Sequence, residues 1–528
     1  MLGTRTTQNV ERRPISEARW AIVTPAVLIL LGIASAGLYW WGRDLHRFIQ
    51  WLAAYTWLFI GQLAMYVVAC FLIVRSDTRS ATRTIRLLTI GAVLVFAAVF
   101  RAELVAERPF LSSDVYRYVW DGRVQAAGVN PYRYSPGADE LRELRDDRIF
   151  ANIPAEDKSW LSAYPPAAQI VFLTVDKLFP TVTGFKLAMS AFDLIAVVLI
   201  MLTLARCGLD PARAIIFAWH PLVIFETAHS GHVESVYIAF IALALWSWSR
   251  RSHAFSGAAL ALATAVKFYP ALLLPIFLTM SLSREDRVDT DSGPQAGSVR
   301  HVGQTFQVWL SVRSLARLWS APNLKLLGAF VATIVAVYLP YLGAGSNMFG
   351  FLGGYFSEEG FGDSGERYFL LALLRRVVPI PTTAFLIVAA IMLLALAVSW
   401  MVREKRDATD VARGALVLIG GYLLVTTPRY AWYYVWLLPF LCFAPRLGWL
   451  YLTGAASLLY LVWYTPLVYP EVPLWLGSAV YLPTIALLLW ENTGPRRAAL
   501  ARRDGSGMKD ETVQIGGEMG VPSRGDRL

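Results

Sequence analysis

Long apolar runs separated by short polar connections, many of them carrying arginine, make up most of the chain. Runs of about 17–25 apolar residues are long enough to cross a bilayer as helices. The first three cover roughly Trp20–Trp41, Gln50–Val74 and Leu87–Phe100. Others lie near Gly184–Ala205, Ala212–Ala228, Val233–Trp248, Leu326–Tyr341, Thr382–Val402, Ala415–Thr427, Trp432–Ala444, Gly448–Leu467 and Trp475–Trp490. The stretch Phe255–Met280 is interrupted by Lys267-Phe268-Tyr269-Pro270 and reads as a hairpin of two half-helices. Such irregular backbone is tolerated at membrane depth only inside protein or beside a water-filled cavity. One ordinary span is the alternative. The pattern predicts an all-α polytopic membrane protein, a bundle of about twelve transmembrane helices plus a hairpin or re-entrant segment.

Flanking charge orients the bundle. Arg12, Arg13 and Arg19 precede the first run, and Arg75, Arg79, Arg83 and Arg86 fill the second connection, so both flanks are expected in the cytoplasm. The expected organisation is a cytoplasmic tail (1–19), three helices (20–100), an outer catalytic loop with interfacial helices (101–182), and helices with the hairpin (183–280). A cytoplasmic linker with an amphipathic helix at Phe306–Trp319 (281–325), the C-terminal helices (326–491) and a disordered cytoplasmic tail (492–528) complete it. Both termini are then cytoplasmic.

Composition narrows the class. The chain is 56% hydrophobic and 16% charged, against about 45–50% and about 25% for soluble domains, which excludes a soluble enzyme. The net charge of +10 fits membrane orientation rather than nucleic-acid binding. Cys70, Cys207 and Cys442 have no metal-ligand spacing.

The polar residues that lipid does not explain gather in the expected outer connections Ser112–Tyr164, His229–Glu234, Gly353–Arg367 and Pro428–Trp436. Asp114 directly follows a span, with Ser112 or Ser113 placed to cap its helix. On a helix, Asp114, Arg117, Tyr118 and Asp121 share a face. A partly desolvated carboxylate near cations suits a general base acting on a hydroxyl, so Asp114 is the catalytic candidate. The alternative is a helix-start acid paired with Arg117. Asp121 reads as structural, as a hydroxyl contact or as the base instead, and Trp120, Tyr132 and Tyr164 as sugar-stacking rings or interfacial anchors. Arg123, Asn130 and Gln169 join them as candidate sugar or acceptor contacts. Lys267, in a Pro-interrupted apolar segment, is the first candidate for a phosphate, with snorkelling to headgroups as its alternative. Arg429, beside the candidate sugar contacts Trp432 and Tyr433, and Arg117 are the further phosphate candidates. His232 and Glu234 read as acceptor contacts or as a structural hydrogen bond between span ends. With His229 and Glu226 they match no zinc motif.

The run Asp114 to Asn130-Pro131-Tyr132, followed by Tyr164-Pro165-Pro166, resembles the first outer loop of GT-C superfamily glycosyltransferases. Glu226 with Gly231-His232-Val233-Glu234, then Lys267-Phe268-Tyr269-Pro270 and Pro428-Arg429-Tyr430-Ala431-Trp432-Tyr433-Tyr434, extend the likeness in the same order. The chain is most similar to bacterial polyprenyl-phosphate-mannose-dependent mannosyltransferases, including alpha-1,6-mannosyltransferases and glycosyltransferase family 87. The resemblance implies a polyprenyl-phosphate sugar donor, a glycolipid or glycan acceptor, membrane lipids as surroundings and no nucleic acid. It implies a site outside a bacterial inner membrane, transfer of a hexose, mannose first, by inverting displacement, and Asp114 as base. No cofactor is expected, and no metal-binding acid pair stands around Asp114, although a divalent ion stays open. The competing readings are a lipid-linked-sugar transporter or flippase and a GT-C transferase for another sugar.

Overall fold

The computed structural model describes residues 15–43, 50–76, 78–278, 319–349, 368–464 and 472–493. The expected amphipathic helix before Trp319, most of the linker, the outer connection at 353–367 and the far tails lie outside these residues. The described chain is helical, with no strand.

Eight described helices are long and apolar enough to cross a membrane, or up to nine if one bent pair counts as a single span. They include α1 (Ile15–Trp41), α2 (Trp51–Ser76) and α3 (Arg83–Val105). After α4 (Asp114–Ala126) and α5 (Pro166–Leu178), in the long loop that follows α3, comes α6 (Val182–Arg206). Thr82 and Thr181 start α3 and α6 by accepting the backbone N–H of Ile85 and Gly184. All eight fall on apolar runs read from the sequence. Their outer faces carry exposed apolar side chains such as Leu30, Trp57 and Phe71, as a lipid-facing surface requires.

Among the described residues there are fewer unbroken spans than the run count of about twelve suggests, because the middle of the chain breaks. Where Ala212–Ala228 was expected to be continuous, α7 (Ile215–Ala218) stops before His220-Pro221 and α8 (Pro221–Ile224) begins anew. Pro221 has no N–H to continue the helix, and its ring drives His220 into extended backbone. A π-helical turn follows at Phe225–His229, and the chain then bends by 120° into α9 (Glu234–Ser249). Gly231 makes that bend at φ +76°, packed so closely on Lys186 and Val115 that a Cβ there would lie 2.9 Å from the Lys186 side chain.

The interruption expected in Phe255–Met280 falls at Lys267. Here α10 (His253–Val266) ends, Lys267 is extended, and a 3-10 turn at Tyr269–Leu273 leads to α11 (Leu274–Phe277). Beyond α12 (Ala321–Tyr338), α13 (Phe369–Leu374), α14 (Thr382–Met401) and α15 (Ala408–Thr426), the runs expected near 432–444 and 448–467 are broken too. They fold as a 3-10 stretch Ala431–Leu437, α16 (Leu438–Leu441), α17 (Leu447–Ala455) and a 3-10 stretch Ala456–Tyr464, before α18 (Leu474–Thr493).

These broken pieces form the centre: every residue from 214 to 239 and from 431 to 443 is buried. The long helices supply partners for backbone groups that the breaks release. Arg101 of α3, paired with Asp193 of α6 in the interior, donates to Ala218 O at the end of α7 (2.9 Å). Tyr66 OH donates to Ile216 O (2.8 Å). Without such partners each freed carbonyl would stand unpaired in an apolar interior.

Candidate active site

Asp114 opens α4, with its backbone N–H donated to Ser112 Oγ (3.2 Å). Its side chain is 30% exposed, which leaves it reachable by a substrate. The hydroxyls of Tyr118 and Tyr164 donate to Asp114 Oδ2 at 3.5 and 3.4 Å, and His232 Nε2 stands 3.9 Å from the same oxygen. The loop between α3 and α6 thus supplies the carboxylate and two phenols, and the broken core supplies the imidazole.

His232 is fully buried at the bend between the π-helical turn and α9. Its Nδ1 lies 2.8 Å from Glu226 Oε2, and Tyr460 OH donates to Glu226 Oε1 at 2.6 Å. The ring packs on Trp432, centroids 4.3 Å apart, and Trp432 in turn stacks on Tyr430. Two residues on, at the start of α9, Glu234 accepts from Lys267 in an ion pair and from Tyr269 OH (3.5 Å). The Lys267 ammonium also lies 4.9 Å from the Tyr433 ring centroid, inside cation–π range. Glu234 Oε2 is buried with no hydrogen-bond partner among the described residues, and so is one guanidinium nitrogen of Arg429.

Of the residues singled out from the sequence, Asp114, Tyr164, His232, Glu234, Lys267, Trp432 and Tyr433 are therefore joined by direct contacts or through one shared neighbour. Arg429 lies three positions before Trp432 in the same segment.

The others tie down the loop between α3 and α6. Arg117 donates to Asp121 Oδ1 (2.9 Å), Asp157 O (2.8 Å) and Trp160 O (3.1 Å). Asp121 Oδ2 accepts from Ser162 Oγ and from Gln169 Nε2 (2.9 Å). Arg123 pairs with Asp146 (2.8 Å), and Trp120 is buried against Phe150. Tyr132 OH donates to Tyr164 O (2.6 Å), and Asn130 donates to Tyr341 O (3.2 Å). These groups fix the loop that carries Asp114, most of them within it and Asn130 against the segment that follows α12. Helical spacing showed that Asp114, Arg117 and Asp121 lie near one another, but not that the last two turn inward.

Sequence reading grouped Glu226 with His229, His232 and Glu234 without placing it behind the His232 ring, and gave no role to Tyr460 behind Glu226, Tyr269 beside Lys267, or Asp157. Burial, then the neighbouring Asp114 charge, push the Asp157 carboxyl up to about 6, with Arg117 opposing and Glu156 adding to the rise. Nothing in local spacing flags Asp157, which reaches Asp114 through the fold of the loop. Among the described residues no group of three or more His, Cys, Asp or Glu side chains is arranged to hold a metal ion.

The family described as alpha-(1->6)-mannopyranosyltransferase, N-terminal domain, matches residues 19–283, half of the chain. That segment contains Asp114, Glu226, His232, Glu234 and Lys267. No curated protein and no solved structure matches the chain.

Proposed function

The chain belongs to the alpha-(1->6)-mannopyranosyltransferase family, and from that premise we propose that it moves mannose from a polyprenyl-phosphate donor to a glycolipid or polysaccharide acceptor at the outer face of a bacterial inner membrane. Membership makes it a glycosyltransferase, so the transporter reading lapses. One observation carries the finer reading. A partly exposed carboxylate, Asp114, shares a polar patch with the Glu234–Lys267 pair in a chain otherwise built for lipid.

In this reading Asp114 takes the proton of the acceptor hydroxyl as its oxygen attacks the anomeric carbon, and the bond to the phosphate breaks with its electron pair staying on the phosphate. The donor phosphodiester carries one negative charge and the departing polyprenyl phosphate gains a second. A cation beside it therefore stabilises the transition state more than the ground state. Lys267 and Arg429 are the cations for that role. Lys267 is held by Glu234 and by aromatic faces until a phosphate competes for it. Direct displacement inverts the anomeric centre, so a beta-linked donor gives an alpha product. Trp432 and Tyr433 offer rings for sugar stacking beside the base.

The test is transfer of labelled mannose by purified protein in liposomes, from synthetic polyprenyl-phosphate mannose or from nucleotide-linked mannose, to an oligomannoside. Transfer from the lipid donor alone is expected. Transfer from the nucleotide donor alone would overturn the reading.

A further inference from the structure

We propose that His232 is a positioning residue that carries a proton on both ring nitrogens and thereby holds Asp114 ionised and aimed at the acceptor. The inference rests on the reading of Asp114 as the base.

The geometry argues for the doubly protonated ring. Nδ1 lies 2.8 Å from Glu226 Oε2, so its proton is donated there. A neutral ring would then turn the bare lone pair of Nε2 toward Asp114 Oδ2, acceptor against acceptor at 3.9 Å. Nε2 has no hydrogen-bond partner among the described residues, and no water-exposed surface of the ring offers one. A proton on Nε2 turns that clash into an attraction, at a distance that closes when substrate packs the site.

The surroundings hold the ring there. Glu226 is fixed from its far side by Tyr460, and the backbone N–H of His232 donates to Glu226 O (2.8 Å). The Gly231 turn sets the direction of the side chain, and Trp432 closes over its face. The titratable groups facing this pair come from every side: Asp114, Asp157, Tyr118 and Tyr164 from the outer loop, Glu226 and Glu234 from the broken core, and Tyr460 beyond. Lys267 is already paired to Glu234, and Lys186 of α6, packed on Gly231, donates its ammonium to Leu104 O and Glu107 O. Carboxylates outnumber the remaining cations, so an imidazolium supplies the charge that Asp114 needs beside it. In the reaction His232 keeps its protons. The acceptor proton goes to Asp114 and leaves from its exposed side to water.

The experiment is the pH profile of kcat/KM for mannosyl transfer by wild type, His232→Gln, His232→Asn, Asp157→Asn and Asp114→Asn. Gln places its amide near the Nε2 position and Asn near the Nδ1 position, and both remove the charge. For both, the acid limb moves up by about one to two pH units and activity falls about 10- to 100-fold below the new limb. Activity recovers at high pH, and KM for the donor is unchanged. The Asp157 carboxyl is itself raised to about 6, so Asp157→Asn serves as the control and, by removing a neighbouring negative charge, moves the limb down, not up. A uniform loss at all pH values, or no change, would overturn the role of His232. An active Asp114→Asn overturns the base reading and this inference together, whereas an inactive one beside an unshifted His232 profile overturns this inference alone. If neither His232 variant folds, the 15N spectrum of histidine-labelled wild type decides. One doubly protonated ring persisting at about pH 8 is expected, above the ordinary range of the side chain, and its absence contradicts the inference.

Discussion

Helix α14 and the stretch from 214 to 239 both read as apolar membrane segments, yet they fold in opposite ways. α14 runs unbroken over 20 residues and buries only Ala389 and Ala397, leaving Ile391 and Leu394 to face lipid. The stretch from 214 to 239 is wholly buried, bends by 120°, and carries His220, Glu226, His229, His232 and Glu234. The difference lies in a few residues. A Pro or Gly breaks the ladder, and a charge in an apolar run cannot face lipid, so such a segment must sit inside the protein. Enclosure then lets Glu226, His232 and Glu234 sit together away from bulk water. The long helices are the enclosure, and the broken pieces hold the buried polar residues of the candidate site, beside the loop that carries Asp114.

If that division holds, substitutions that open the centre cost far more than those on the shell. Arg101→Leu has the largest expected effect, since it strands Asp193 in the interior and removes a partner from Ala218 O. A loss of about 3–5 kcal/mol is expected, enough to remove most folded protein from size-exclusion profiles. The double variant Arg101→Leu/Asp193→Leu recovers part of it. Equal folded yields for Arg101→Leu and Ile391→Ala would break the comparison.

Gly257→Ala is next. A Cβ at Gly257 would lie 2.1 Å from Leu326 O, so α10 and α12 would have to separate, at a cost of about 1–3 kcal/mol in thermal unfolding.

Asp157→Asn sharpens the account of the loop that carries Asp114. The Asp157 carboxyl is raised to about 6 in the folded protein. The folded state therefore favours its protonated form, a contribution present in full below about pH 4 and lost as pH rises through about 6. Asn lacks that titration. The midpoint of thermal unfolding for the variant should gain on wild type by a few degrees between about pH 4 and pH 7, and a constant difference across that range would contradict the assignment. The smallest effect is expected for Gly91→Ala in α3, where nothing lies within 4 Å of the added carbon. Its stability should be unchanged or raised by up to about 1 kcal/mol.

Much of the shell was legible in the sequence, because a lipid-facing helix needs little more than uninterrupted apolar length. The break at Lys267 was legible for the same reason in reverse, from a Pro and a cation inside an apolar run. Pro221 and Pro439 carry the same signal, but hydropathy alone passes over them. In the site, Asp114 and Lys267 stood out as charges at membrane depth or beside it. The inward turn of Arg117, Asp121 and Gln169 was not legible, since their partners Asp157, Trp160 and Ser162 lie some forty residues away in the chain or are themselves unremarkable in type. Glu226 and Tyr460 are likewise joined across 234 positions, a contact that only the packed core defines.

The central claim is that Asp114 is the base of a mannosyl transfer from a lipid phosphate. Its most direct test is single-turnover transfer from polyprenyl-phosphate mannose by wild type and by Asp114→Asn, at matched amounts of folded protein in liposomes. A fall of about 10²- to 10⁴-fold in the transfer rate, with donor binding retained, is the predicted result. Transfer by Asp114→Asn within a few-fold of wild type would contradict the account.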